Sequence, residues 1–138
     1  MQVTVASNFN EYVAVMAANS PHGLMMDLWR RLDLAVGEYL DSSGSTVNRR
    51  NRSAIEETLA LDPAFGSRFA DSLRRLRLLR NGVAHQPIYH HSSEDAIGYA
   101  RHAFALIGVI GRRISCLEGA AITKHESATI SRCVTDTD

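Results

Sequence analysis

The chain has 138 residues, 15 basic and 15 acidic, and a formal net charge of zero. That length fits one domain with a real core, and 45% hydrophobic with 22% charged residues is the make-up of an ordinary soluble globular protein. The charge balance excludes a uniformly basic nucleic-acid binder, so any RNA contact has to come from a local patch.

Residues 1–20 read as an N-terminal segment in which 9–18 predict a short helix, capped by Ser7 or Asn8. Ser20-Pro21 is a cap followed by a proline at the first helical position. From there Leu24, Leu28, Leu32, Val36 and Leu40 recur every four residues, with Met25, Trp29 and Tyr39 beside them. This predicts a long amphipathic helix that stops in the serine-rich loop at 41–46. Ser53-Ala54-Ile55-Glu56 reads as a capping box opening a shorter helix, with Ile55, Leu59 and Leu61 facing inward.

Asp62-Pro63 is expected to close that helix and open the next, Asp62 as cap and Pro63 as first helical residue. The third main helix carries Phe65, Phe69, Leu73, Leu76 and Val83 on its apolar side. Pro87 pushes Gln86 out of helical geometry, so this helix should end near His85. Residues 92–95 start a fourth, with Glu94 and Asp95 in its first turn. Its stripe is Ala96, Tyr99, Ala100, Ala103, Ile107, Ile110 and Ile114, and Arg112-Arg113 closes it. Residues 119–138 are polar and threonine-rich and read as a flexible tail. The sum is an all-α fold: an antiparallel bundle of four main helices over 21–118, preceded by a short N-terminal helix.

The chemistry concentrates in Leu73-Arg-Arg-Leu-Arg-Leu-Leu-Arg-Asn-Gly-Val-Ala-His-Gln-Pro87. An arginine grips phosphate with a two-pronged fork, and a histidine moves protons near neutral pH. Residues four apart share a helix face, so Arg77, Asn81 and His85 line one polar stripe with Arg74 close to it. Arg80 and His85 are about 140° apart on an ideal helix. They converge only if the last turn distorts or if a second subunit supplies one of them. Structural roles are open for each: Arg77 and Arg80 as solvated or ion-paired residues, His85 as a C-terminal cap, Asn81 as a backbone partner. Gly82 in a helix costs about 1 kcal/mol relative to alanine. Close approach by a ligand or backbone explains it, and so does tolerance near a helix end.

The other features are weaker. Arg49-Arg50-x-Arg52 is either a phosphate-contacting patch or a solvated helix start. The bias of 14 Arg to a single lysine, Lys124, suits phosphate binding, and a genome rich in G and C explains it equally. His90 and His91, with His85, lack a carboxylate at ligand spacing, and no metal or cofactor is expected. Trp29, Met25 and Met26 read as core or dimer contacts. Cys116 and Cys133 form no C-x-x-C; a disulfide between them is one option and the reduced state the expected one. With no signal pattern and no apolar run of spanning length, a cytoplasmic protein with no membrane partner is expected.

Arg80-Asn81-x-x-x-His85 at the close of the third main helix of a small helical domain resembles the HEPN family (higher eukaryotes and prokaryotes nucleotide-binding). The resemblance covers about residues 21–116. It implies a homodimer whose two motifs face each other across a cleft and form a composite active site. It also implies a metal-independent ribonuclease, a hydrolase of the kind found among toxins and phage-defence components. The RNA's own 2′-hydroxyl would attack, leaving a 2′,3′-cyclic phosphate and a 5′-hydroxyl. His85 would act as general base or acid and Arg80 would stabilise charge on the phosphorane. Asn81 would orient His85 or bind a phosphate oxygen, and Arg77, Arg74, Arg49 and Arg50 would contact RNA phosphates. The partners implied are RNA and a cognate antitoxin or regulatory protein. HEPN toxins usually carry a tyrosine two residues after the histidine, where an antitoxin attaches nucleotides. Pro87 stands there and the nearest tyrosine is Tyr89, which argues against neutralisation by that route. Non-catalytic HEPN-like binding or regulatory modules are the alternative, and a plain helical dimerisation domain is a third.

Overall fold

The structure, a computed structural model, describes residues 2–85 and 91–122, with side chains described for 8–82 and 91–120. Those residues are all-α, with no strand among them: α1 (Gln2–Asn19), α2 (Pro21–Ser42), α3 (Arg52–Leu61), α4 (Gly66–His85) and α5 (Ser93–Ile122).

α2 forms as its sequence dictates. The Ser20 side chain accepts the Gly23 N–H at 3.1 Å and Pro21 fills the first turn. A Cβ at position 23 would lie 2.6 Å from Ser20 Oγ, so this cap needs the glycine. Leu24, Met25, Leu28, Trp29, Leu32, Val36, Tyr39 and Leu40 are all buried. Each fully buried leucine contributes about 2 kcal/mol of apolar burial. Ala96, Ala100 and Ala103 of α5 are fully buried as well, and their small side chains let α5 lie along α2 as the spine of the core.

α1 is longer than the sequence suggested. Ser7 and Asn8 lie inside it, not at its cap. Its attachment is tertiary: Phe9 stacks on Phe104 with ring centroids 3.9 Å apart, the Tyr12 hydroxyl donates to Asp27 at 2.6 Å, and the Ser93 hydroxyl donates to the Ala17 carbonyl at 2.9 Å. None of these partners is local, so helical propensity alone underestimates the element.

The loop 43–51 does not simply reverse the chain. Arg49 reaches back to Asp41 at 2.6 Å, and Arg52, the first residue of α3, binds Asp33 in the middle of α2. α3 therefore starts beside Asp33 and ends at Asp62 near Tyr39, running in the same sense as α2. α2 and α5 also run together, with Met25 near Tyr99 at one end and Tyr39 joined to Arg113 through Asp62 at the other. A uniformly antiparallel order of the main helices is thus not what these contacts give.

Local details depart too. Asn51 caps α3, accepting the Ala54 N–H at 3.1 Å, in place of the expected capping box from Ser53. Leu61 is 83% exposed instead of facing inward. α4 begins at Gly66, not Pro63. The Asp62 carboxylate takes the Ala64 N–H, the Asp62 carbonyl takes those of Phe65 and Gly66, and Gly66 has a left-handed φ of +76°. A tight corner therefore stands where the first helical turn was expected.

α4 then runs to His85. α5 starts behind a Ser92–Asp95 reciprocal cap and continues past Arg112-Arg113 and past residue 118 to Ile122. Arg113 is not a dipole-facing terminal residue: its Nε donates to Asp62 at 3.0 Å. Cys116 is disulfide-bonded, against the expected reduced thiol. Cys133, the chain's other cysteine, lies outside the described residues, as do the tail from 123 onward, Pro87, Tyr89 and His90. No helix among the described residues is long and apolar enough to cross a membrane.

Candidate functional site

On α4, Phe69, Leu73 and Leu76 are buried at helical spacing, and the next position of that stripe is Arg80. The helix thus places a guanidinium where its apolar face would otherwise continue. Arg80 is half-buried, and its Nε is fully buried with no hydrogen-bond acceptor among the described residues. One terminal nitrogen donates to Asn81 Oδ1 at 3.3 Å. A buried guanidinium nitrogen without an acceptor is costly, and such groups in folded proteins call for an explanation such as a bound ion.

Arg80 opens onto a cleft of about 450 Å³ shared with Met26, Asp27, Trp29, Arg30 and Asp33 of α2 and with Arg52 of α3. A cleft of that size is within the range that takes small ligands, ~300–1,000 Å³. Its two carboxylates are already occupied. Asp33 accepts two hydrogen bonds from Arg52, at 2.5 and 3.3 Å. Asp27 accepts from Tyr12 at 2.6 Å and from Arg30 at 3.1 Å, and Arg31 Nε lies 3.0 Å away. Burial pushes the Asp27 carboxyl up, but the Tyr12 and Arg30 hydrogen bonds and the two arginine charges outweigh it and hold it below its ordinary value. The Asp33 carboxylate makes Arg52 still harder to deprotonate. Among the described residues, Arg80 is the one cleft arginine without a carboxylate partner.

Tyr99 lies near Arg80. The buried Tyr99 hydroxyl donates to the Leu76 carbonyl at 3.1 Å. Burial pushes its pKa up and the charge of Arg80 opposes that shift, so Tyr99 stays a neutral donor. Trp29 is only 7% exposed and Met25 2%, which makes both core residues and removes them as candidate dimer contacts. Among the described side chains of α4, Leu78 and Leu79 are exposed large apolar residues, at 53% and 48%. Among the described residues, no heavy atom beyond its own helix comes within 4 Å of a Cβ built on Gly82.

The other expected site residues are scattered. Arg77 does not join a phosphate-facing stripe. It makes a two-pronged pair with Glu56 of α3, at 2.7 and 3.2 Å, with both side chains under one-fifth exposed. Arg74 is exposed in a separate groove between α3 and α4, beside Glu57 and Asp71. Arg49 is tied to Asp41 and the Gly37 carbonyl. Arg50 is exposed; its backbone N–H donates to Asn48. Asn81 accepts from Arg80. The His85 side chain lies outside the described residues; the backbone places it as the last residue of α4. His91 lines a different cleft, with Glu94, Asp95 and His102.

Arg30 and Asp33 were not singled out in the sequence, and Arg52 only as the last arginine of the Arg49-Arg50-x-Arg52 run. The readable signal was Asp27-x-x-Arg30-x-x-Asp33, whose spacing of three puts alternating charges along one side of α2. No family model, curated protein or solved structure matches the chain.

Proposed function

We propose that the chain is a HEPN-like, metal-independent endoribonuclease that cleaves RNA by attack of the 2′-hydroxyl. The observation that carries this reading is the uncompensated Arg80, held in an arginine cleft five residues before the histidine that closes the same helix. An RNA phosphate in the cleft offers the Arg80 guanidinium the charged acceptor that Asn81, at 3.3 Å, does not, and negative charge growing on the phosphorane strengthens that contact. His85 acts as general base or acid, the role for which histidine is the usual side chain near neutral pH.

Arg80 and His85 of one helix diverge around its axis, so the pair that acts on one phosphate comes from two copies of the chain. Leu78 and Leu79, exposed on the last turns of α4, are the apolar residues such a homodimer has to cover. Toxin or phage-defence roles, with an antitoxin or regulatory partner, fit this activity. Cytoplasmic action fits it as well. The Cys116 disulfide speaks against that compartment, since reducing cytoplasm disfavours disulfides.

A second reading is a non-catalytic HEPN-like binding or regulatory module. It is favoured by Arg77 and Arg49 being engaged by carboxylates of their own chain, which leaves fewer free cations for a long RNA. Incubation with a mixed RNA pool in EDTA separates the two. Wild-type protein is expected to leave cyclic-phosphate ends, and His85→Ala and Arg80→Gln to leave RNA intact. Cleavage surviving in His85→Ala sinks the ribonuclease reading. RNA intact with all three proteins transfers the weight to the binding module.

A further inference from the structure

We infer that the α2–α3–α4 cleft holds a second phosphate of a single nucleic-acid strand, the one next to the phosphate at Arg80. Arg52 is its ligand and Asp33 the residue that positions Arg52. The inference rests on the proposed function for the identity of the first phosphate, and it adds a subsite and two residues to that function.

Three arginines line this cleft, and they differ in depth. Arg80 is half-buried at the inner end, Arg52 has 41% of its side chain exposed, and Arg30 has 64% exposed at the rim. A single phosphate group needs far less room than 450 Å³ and only one of these forks. The volume, with charges graded from the interior to the rim, fits a chain of anions that enters at Arg30 and ends at Arg80. Both carboxylates in the lining are spent on internal pairs, so neither presents an unshielded negative charge to the ligand.

The Asp33 carboxylate holds Arg52, a cleft-lining residue, by two of its nitrogens and leaves its other N–H donors unused by that pair. An arginine oriented by a carboxylate loses less entropy on gripping a phosphate than one free in solvent. A strand also explains the fit better than an acidic peptide. Phosphates are tetrahedral, repeat at regular spacing, and match the guanidinium fork, whereas carboxylates on a peptide alternate in direction.

The test reads binding without cleavage. Short oligothymidylate lacks the 2′-hydroxyl, so the full-length protein can be titrated with it at several salt concentrations. Trp29 is the only tryptophan and lines the cleft, which makes its fluorescence the reporter. Arg52→Gln and Arg80→Gln are each expected to weaken binding about tenfold, the loss of one charge-assisted contact. Each should also lower the slope of log K against log salt by about 0.7, the value for one phosphate on a single strand. Asp33→Asn should weaken binding less and leave the slope unchanged, because it frees Arg52 without removing its charge. Arg101→Gln, exposed on α5, serves as the control with wild-type binding.

Wild-type affinity and slope in Arg52→Gln overturn the inference. So does oligoglutamate binding as tightly as oligothymidylate. If Arg52→Gln fails to fold by circular dichroism, Arg52→Lys and Arg30→Gln decide. The lysine keeps the charge but not the fork, so affinity should fall with the slope nearly intact. Arg30→Gln, at the exposed rim, should lose slope. A protein that binds the strand through Arg52 but leaves RNA whole keeps this subsite and loses the nuclease. A protein that cuts RNA with Arg52→Gln indistinguishable from wild type keeps the nuclease and loses the subsite.

Discussion

Replacing Asp62 with asparagine should be among the most damaging conservative changes in this chain. Asp62 is 9% exposed and its carboxylate accepts three hydrogen bonds, from the Tyr39 hydroxyl at 2.6 Å, the Ala64 N–H at 2.9 Å and Arg113 Nε at 3.0 Å. It ties the end of α2, the α3–α4 corner and the middle of α5 into one node. Removing one partner of a buried ion pair costs about 3–5 kcal/mol. Asparagine keeps one of the two oxygens, either the Oδ1 that takes Ala64 or the Oδ2 that takes Tyr39 and Arg113, so the lower end applies, about 3 kcal/mol. For a chain of this size that is a fall in Tm of roughly 10 °C. Urea unfolding followed by circular dichroism gives the value directly, and an unchanged m-value keeps the comparison two-state.

The same node predicts a pH dependence. Burial works to raise the Asp62 carboxyl, but the Tyr39, Ala64 and Arg113 hydrogen bonds and the Arg113 charge outweigh it and hold it below its ordinary value of 3.8. A folded pKa below the unfolded one means the stability is fully present above 3.8 and is lost as pH falls through the lower folded value. The gap between wild type and Asp62→Asn should therefore stay constant from neutrality down to mild acid and close below that point. A loss under about 1 kcal/mol, well short of what removing one partner of a buried pair costs, refutes the assignment of this node as a structural clamp. A gap that widens in acid refutes it as well.

Two further changes separate structural from ligand-binding charges. Arg77→Gln should cost about 2 kcal/mol, since its pair with Glu56 is largely but not wholly shielded from water. It should leave oligothymidylate binding as in wild type; a drop matching that of Arg80→Gln would show that Arg77 faces the strand after all. Tyr12→Phe removes the hydroxyl that holds α1 to Asp27, at a cost of about 1–2 kcal/mol. Amide exchange should quicken in α1 and stay unchanged in α2 and α5, and equal protection of α1 in the two proteins would contradict that attachment.

What the sequence made legible was what neighbours along the chain decide. Ser20, Pro21 and the leucines at steps of four specified α2 without reference to anything outside it. The misplaced start of α4 is the opposite case. Asp62-Pro63 carries a sound helix-opening signal, yet the Asp62 carboxylate is claimed by Tyr39, 23 residues before it, and by Arg113, 51 residues after it. Once those partners fix the carboxylate, the corner at Ala64–Gly66 follows and the helix has to wait for Gly66. Arg77 failed in the same way. Its position on a polar stripe was right, but the stripe faces Glu56, 21 residues away, and periodicity does not tell solvent from a salt-bridge partner.

The same distinction decides which arginine should meet the ligand. An exposed arginine such as Arg50 or Arg74 is well hydrated, and an anion that binds it must displace that water for little net gain. Arg77 and Arg113 are largely desolvated, but each already has its carboxylate, and an incoming phosphate would have to break that pair. Arg80 alone combines the two favourable conditions among the cleft arginines: its Nε is out of water, and no carboxylate compensates it. An anion arriving in the cleft meets a guanidinium already partly desolvated by folding, so less of the charge-assisted bond is spent on displacing water than at an exposed arginine. Conversely, the folded protein without an anion carries the cost of that buried donor. Arg80→Leu, which continues the stripe of Phe69, Leu73 and Leu76 with an apolar residue, would remove that cost and the site together. This opposition, a residue poor for the fold and well placed for an anion, is the strongest reason to place the ligand at Arg80.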